Sequence, residues 1–160
     1  MDKQALQKLI VEALERDLDV ARRAAQTAYE TATHEENIAE NKYDTLGLEA
    51  SYLATGQARR MSEIAQALTA LRALPTTRHC PDRGLQLGDY VVLENPDGHV
   101  RALFIGPDAA GLVVHTDNSP VTVITPRAPL GQALLGRQEG DEVQVQVAGK
   151  LQTYVVVEAS

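Results

Sequence analysis

Between His34 and Glu49 the chain carries five carboxylates, Glu35, Glu36, Glu40, Asp44 and Glu49, against one basic side chain, Lys42. Like charges crowded into a short segment repel, and a cation or a basic partner relieves the cost. Carboxylates are the hard oxygen ligands that Mg²⁺ takes, one or two from protein with water completing the shell. The segment reads either as part of a shared Mg²⁺ site or as a solvated turn. Two arginine pairs, Arg22–Arg23 and Arg59–Arg60, flank it at a distance. A guanidinium grips phosphate with two parallel donors, so these four side chains are candidates for phosphate contact in a nucleic-acid-processing site. Their other reading is pairing one turn away along a helix, with neighbours such as Asp19. Cys80, the single cysteine, follows His79 and rules out internal disulfides and zinc sites that need two or more thiolates.

The elements that must position these groups fall into two halves. Residues 3–74 hold no proline and are rich in Ala, Leu, Glu, Gln and Arg, the strong helix formers. Val11, Leu14, Leu18, Ala21, Ala25, Ala28 and Ala32 recur at alternating spacings of three and four. Ala50, Ala54, Gln57, Met61, Ile64, Leu68 and Leu71 do the same. Such alternation holds one stripe against a partner helix, as in a coiled coil. Folding the chain about 33–49 sets Val11 opposite Leu71, Leu18 opposite Ile64 and Ala28 opposite Ala54. It also brings Arg22 level with Arg60 and Arg23 level with Arg59, a collar behind the acidic turn. The prediction is an antiparallel helical hairpin over 1–75, roughly 40 Å long at ~1.5 Å per residue. A dimerisation stalk is the other use of such a pattern.

Residues 76–84 read as a linker, and 85–160 as a second, valine-rich domain punctuated by Gly and Pro. Strands are expected at Gln86–Leu93, Val100–Ile105, Leu112–His115, Val121–Thr125, Val143–Val147 and Gln152–Val157, with a short helix at Leu130–Leu135. Pro96-Asp-Gly98 and Ala148-Gly-Lys150 mark hairpin turns. The expected class is therefore α+β, a coiled-coil hairpin followed by an antiparallel β domain with one short helix and with Gln152–Val157 as a central strand. This half offers no Ser/His/Asp set and no phosphate-binding glycine loop, and His99 and His115 read as surface residues in strands.

Composition narrows the function. Aromatic residues make up 4% of the 160, and the formal net charge is −7. That argues against a base-stacking platform and against a surface basic throughout. With Tyr90, Phe104 and Tyr154 as its only aromatics, the β half lacks the aromatic pocket of a peptidyl-prolyl isomerase. The opening MDKQALQKLI has no apolar core of a signal peptide, and no apolar run approaches the ~20 residues of a membrane span. The expectation is a soluble, cytoplasmic monomer.

The string Val123-Ile-Thr-Pro-Arg-Ala-Pro-Leu-Gly-Gln-Ala-Leu-Leu-Gly136, followed by Glu139-Gly-Asp-Glu-Val143, Gly149 and Tyr154, resembles the C-terminal domain of the bacterial transcript cleavage factors GreA and GreB. The resemblance implies that 85–160 is an FKBP-like domain docking on the rim of the RNA polymerase secondary channel, with Pro126, Arg127, Ala128, Pro129 and Leu130 at the contact. It implies that the hairpin enters the channel, towards the 3′ end of the nascent RNA, and that two tip acids hold a catalytic Mg²⁺ shared with the polymerase. On this basis Asp44 and Glu49 are the candidates, and the factor is not itself an enzyme but stimulates cleavage of backtracked RNA by the polymerase. Two positions depart from the family pattern. Its tip reads G-D-[LF]-x-E-N-A-E-Y, with acids three apart, whereas Asp44 and Glu49 are five apart; aligning Tyr52 with the family tyrosine puts the acids at Thr45 and Leu48. The family serine before proline is Ala128. The altered tip carries an alternative, a Gre-like protein that occupies the channel and modulates or inhibits transcription without stimulating cleavage.

Overall fold

A computed structural model describes the backbone of residues 1–38 and 45–160, and the side chains there except at 32, 35–38 and 45–51. Helix α1 spans Lys3–Ile38 and helix α2 spans Thr45–Ala73. Asp2 starts α1: its Oδ1 accepts the Ala5 N–H at 3.1 Å and its carbonyl accepts the Leu6 N–H. The first bond satisfies an amide that a helix start leaves without an intrahelical partner, and the second is the first i→i−4 bond of the helix.

The chain divides into two compact units, Glu12–Leu68 and the combination of Met1–Val11 with Thr69–Ser160. Within Glu12–Leu68 the seam read from the spacing is the seam observed. Leu14, Ala21, Ala28, Ile64 and Leu68 are buried, while Leu18, Ala25, Ala54, Gln57 and Met61 are half-buried. Val20, Tyr29, Tyr52 and Leu53, off the stripe, are exposed. Ala32 and Ala50 lie outside the described side chains. Apolar burial is worth ~25 cal/mol per Å², so alanine positions stabilise each turn less than the Leu and Ile positions do.

In the other unit Leu6, Ile10 and Leu71 are completely buried. The Gln7 side-chain amide donates to the carbonyls of Leu71 and Leu74. Carbonyls in the last turn of a helix lack intrahelical donors, and here the opposite helix supplies them. This contact sets Gln7 against the last turn of α2, the end-to-end meeting that the antiparallel pairing of Val11 with Leu71 requires.

The rest of this unit is a six-stranded sheet made of β1 (Tyr90–Glu94), β2 (Val100–Ile105), β3 (Val113–His115), β4 (Pro120–Ile124), β5 (Glu142–Val147) and β6 (Lys150–Ala159). The short helix α3 covers Pro129–Leu134. Strand order is β3-β4-β2-β1-β6-β5. Val91, Leu93, Leu103, Ile105, Val143 and Val156 point to one face and pack with Leu85, Leu130 and Leu134. Strand alternation puts the neighbours of these residues on the other face.

The fold class is the expected one, with two differences of detail. The sheet is mixed rather than wholly antiparallel, because β2 and β4 pair in parallel, Ala102 with Val121 through Ile105 with Ile124. The excursion between them carries β3, which pairs antiparallel with the far side of β4, so β4 re-enters running the same way as β2. The first strand begins at Tyr90 rather than Gln86, because positive φ at Gly84 and Gly88 and an Asp89 N–H to Gln86 carbonyl bond turn the chain there. Strand β6 is internal, as expected, but lies one place from the edge.

Tyr90, buried on the face opposite that core, has its hydroxyl pKa raised above the ordinary 10.0 by burial, and Glu158 adds to the rise while a hydrogen bond with Ser119 opposes it. The unfolded phenol ionises first, so above about pH 10 the folded state holds more protons and stability falls as pH rises. Thermal unfolding followed from about pH 9 to pH 11 should show this falling limb, and Tyr90→Phe should make it shallower.

Candidate functional site

The segment after β4 is built by close backbone approach. Thr125 is buried, and its carbonyl accepts the Ala128 N–H at 3.0 Å, closing a turn through Pro126 and Arg127. Pro129 then opens α3, where its missing N–H costs nothing. A Cβ on Gly131 would collide with the Thr125 carbonyl, so only glycine lets α3 fold back onto the end of β4. At the far end of α3 the Gly136 N–H donates to Leu85, and the Leu85 N–H donates to Arg137. Gly84, at positive φ, sits where any side chain would strike the Gly136 backbone.

This construction decides which side chains face outward. Arg127 and Pro129 are exposed, and Pro126 and Ala128 are half-buried. The Arg127 guanidinium reaches back to the Pro107 carbonyl at 3.1 Å and lies 3.9 Å from Asp108 Oδ2, which orients it along the loop. Leu130 differs from the other four: its side chain packs into the sheet core with Leu134, so it anchors the segment instead of lining a surface. Ala128 is the N-cap of α3, with the extended φ −79° and ψ 147° of a capping residue but no side-chain oxygen to accept a helix amide.

The four arginines singled out by type are all exposed, Arg22 and Arg23 on α1 and Arg59 and Arg60 on α2. Arg23 Nη2 lies 2.9 Å from Asp19 Oδ2, the pairing one turn away that sequence had set against phosphate contact. An exposed pair of this kind is worth at most about 1 kcal/mol, little enough for a phosphate to displace. Asp44 lies outside the described residues, as do Glu40 and Lys42, and the side chains of Glu35, Glu36 and Glu49 are likewise outside them. Among the described residues no group of three or more His, Cys, Asp or Glu side chains is placed to hold a metal ion. No helix among them is long and apolar enough to cross a membrane.

One cluster escaped the reading of the sequence. Asp89 is buried, and it accepts three donors: Lys3 Nζ on Oδ1 at 2.8 Å, and on Oδ2 the Gln86 N–H at 2.9 Å with His79 Nδ1 at 2.8 Å. The donors come from the start of α1, the linker and the entry to β1. Nothing in local spacing points to it, because Lys3 is 86 residues away.

Residues 86–160 match the family model described as transcription elongation factor, GreA/GreB, C-terminal. The transcription elongation factor GreA of Halorhodospira halophila is 34% identical over 73 residues, covering 44% of this chain and 42% of its own length. The chain thus spans less than half of that relative. Solved structures similar to it include one of the transcription factor Gfh1, 22% identical with a TM-score of 0.41, covering 95% of this chain and 94% of that one. A GreA/GreB factor from Nitrosomonas europaea is 18% identical with a TM-score of 0.37, covering 70% of this chain and 92% of its own. The likeness to the GreA/GreB transcription elongation factors is thus one of the C-terminal domain, residues 86–160.

Two measurements test the construction. Ala128→Ser supplies the missing cap and should raise stability by about 0.5–1 kcal/mol in urea unfolding. Asp89→Ala leaves Lys3 and the Gln86 amide without their acceptor and should cost about 3 kcal/mol, against less than about 0.5 for the exposed Asp82→Ala.

Proposed function

We propose that this protein binds RNA polymerase through the surface formed by Pro126, Arg127, Ala128 and Pro129, places the helical hairpin in the secondary channel and stimulates cleavage of backtracked RNA. The match of 86–160 to the GreA/GreB C-terminal domain, in a chain whose other half is a helical hairpin, carries the reading. The narrow alanine stretch of the seam suits passage through a confined space. On this reading Asp44 and Glu49 hold an Mg²⁺ jointly with polymerase carboxylates, and the ion supplies activated water and charge neutralisation at the scissile phosphate. Arg22, Arg23, Arg59 and Arg60 follow the RNA backbone as cationic contacts that a salt titration would weaken. The hydrolysis itself belongs to the polymerase, so the factor has no active site of its own and works from the cytoplasm on a nascent 3′ end.

A second reading rests on one observation, the five-residue separation of Asp44 and Glu49 where the family pattern has three. It makes the protein a channel occupant that modulates or inhibits transcription without cleavage.

Halted, backtracked elongation complexes incubated with the protein and Mg²⁺ separate the two. Release of short 3′ RNA fragments is the expected result, with Asp44→Ala and Glu49→Ala each slowing it about tenfold or more. Displacement of a known cleavage factor with no fragments released would sink the cleavage reading and leave the occupant. Cleavage that survives both substitutions moves the role to Glu35, Glu36 or Glu40.

A further inference from the structure

The linker side of the sheet domain holds a half-open recess of about 420 Å³, within the size range of small-ligand sites. Arg78 and Arg83 line it together with Thr77. Neither guanidinium has an ion-pair or hydrogen-bond partner among the described residues. Pro126, Leu87 and Leu135 make the apolar wall, the two leucines being 42% and 38% exposed. Two unanswered arginines in a chain of net charge −7 are a local reversal of sign, and the obvious carboxylate cannot answer them. Asp89, at the edge of the recess, has one oxygen taken by Lys3 and the other by His79 and the Gln86 amide. Asp82 lines a separate recess beside His79.

Hydrogen bonds hold the backbone that carries Arg83. The Arg83 N–H donates to the Cys80 carbonyl at 3.1 Å, the Gly84 N–H to Pro81 at 3.2 Å, and the Gln86 side-chain amide returns to the Arg83 carbonyl at 3.1 Å. Two forked cations fit two adjacent anionic groups, which one carboxylate or one phosphate does not supply. A leucine–proline wall beside them fits a flat, weakly polar body attached to those groups. We propose that this recess binds a nucleotide with two or more phosphates, Arg78 and Arg83 taking the phosphate oxygens and Leu87, Leu135 and Pro126 covering the base. The assignment does not rest on the polymerase reading.

Calorimetric titration of the full chain at low salt, with ADP and separately with inorganic pyrophosphate, tests it. Both should saturate at one site, with ADP bound about threefold more tightly or better. Arg78→Gln combined with Arg83→Gln should weaken both by about tenfold or more, and circular dichroism should show the fold intact because both side chains are exposed. Leu135→Ala should weaken ADP about threefold and leave pyrophosphate unchanged. ADP that fails to saturate at millimolar concentration, or binding indifferent to the double arginine substitution, overturns the site. Pyrophosphate bound as tightly as ADP overturns the assignment of a nucleotide.

Discussion

A carboxylate taken out of water is costly unless donors surround it, and Asp89 is the place where this molecule meets that condition. Its donors lie 86, 10 and 3 residues away in the chain. Satisfying one side chain therefore fixes three backbone segments at once: the first turn of α1, the linker at His79 and the turn that enters β1. Other features lean on that junction. The linker course decides where Arg78, Cys80 and Arg83 stand, and the turn at 86–89 sets Tyr90 in the first rung of the sheet. Hydrophobic contact alone would tolerate a slide of one turn along α1. A charge with a fixed set of partners tolerates none.

Much of the fold was legible because packing imposes periods. The three-and-four alternation of Leu14, Ala21, Ile64 and Leu68 is the geometry of one helix lying on another, and those positions are buried. The strands were legible for the same reason at period two, as in Val143 and Val145 alternating with Gln144 and Gln146. The parallel pairing of β2 with β4 was not, since strand direction depends on where the connecting segment leads and leaves no mark in either strand. Leu130 was assigned to the docking surface by likeness to a motif, although Leu130 and Leu134, four apart on a short helix, face the same way and signal a core anchor. Asp89 was invisible because its principal partner is remote in sequence. The apolar wall beside Arg78 and Arg83 is likewise a product of the fold, since Leu87, Pro126 and Leu135 come from separate parts of the sequence.

Stability within the helical pair is unevenly shared. Leu6, Ile10 and Leu71 are completely buried in the unit that also holds the sheet, whereas Ala21 and Ala28 occupy the seam further along α1. Small side chains bring helix backbones close while burying little area, so the gain in slenderness is matched by a loss of cohesion. Opening free energies within one protein vary in this way with local apolar burial. The exposed arginines sit on the less cohesive stretch, beside Ala21 and Met61, where local adjustment costs least.

Gly131 lacks a side chain because the Thr125 carbonyl occupies the space where one would go. The path of 126–130 is thus held from beneath, by Leu130 and Leu134 in the core and by a backbone contact that involves no functional group. The exposed Arg127 side chain is therefore not what sets the contour. The chain can exchange it, charge for hydroxyl or bulk for absence, and retune what the loop presents while its path stays where it was.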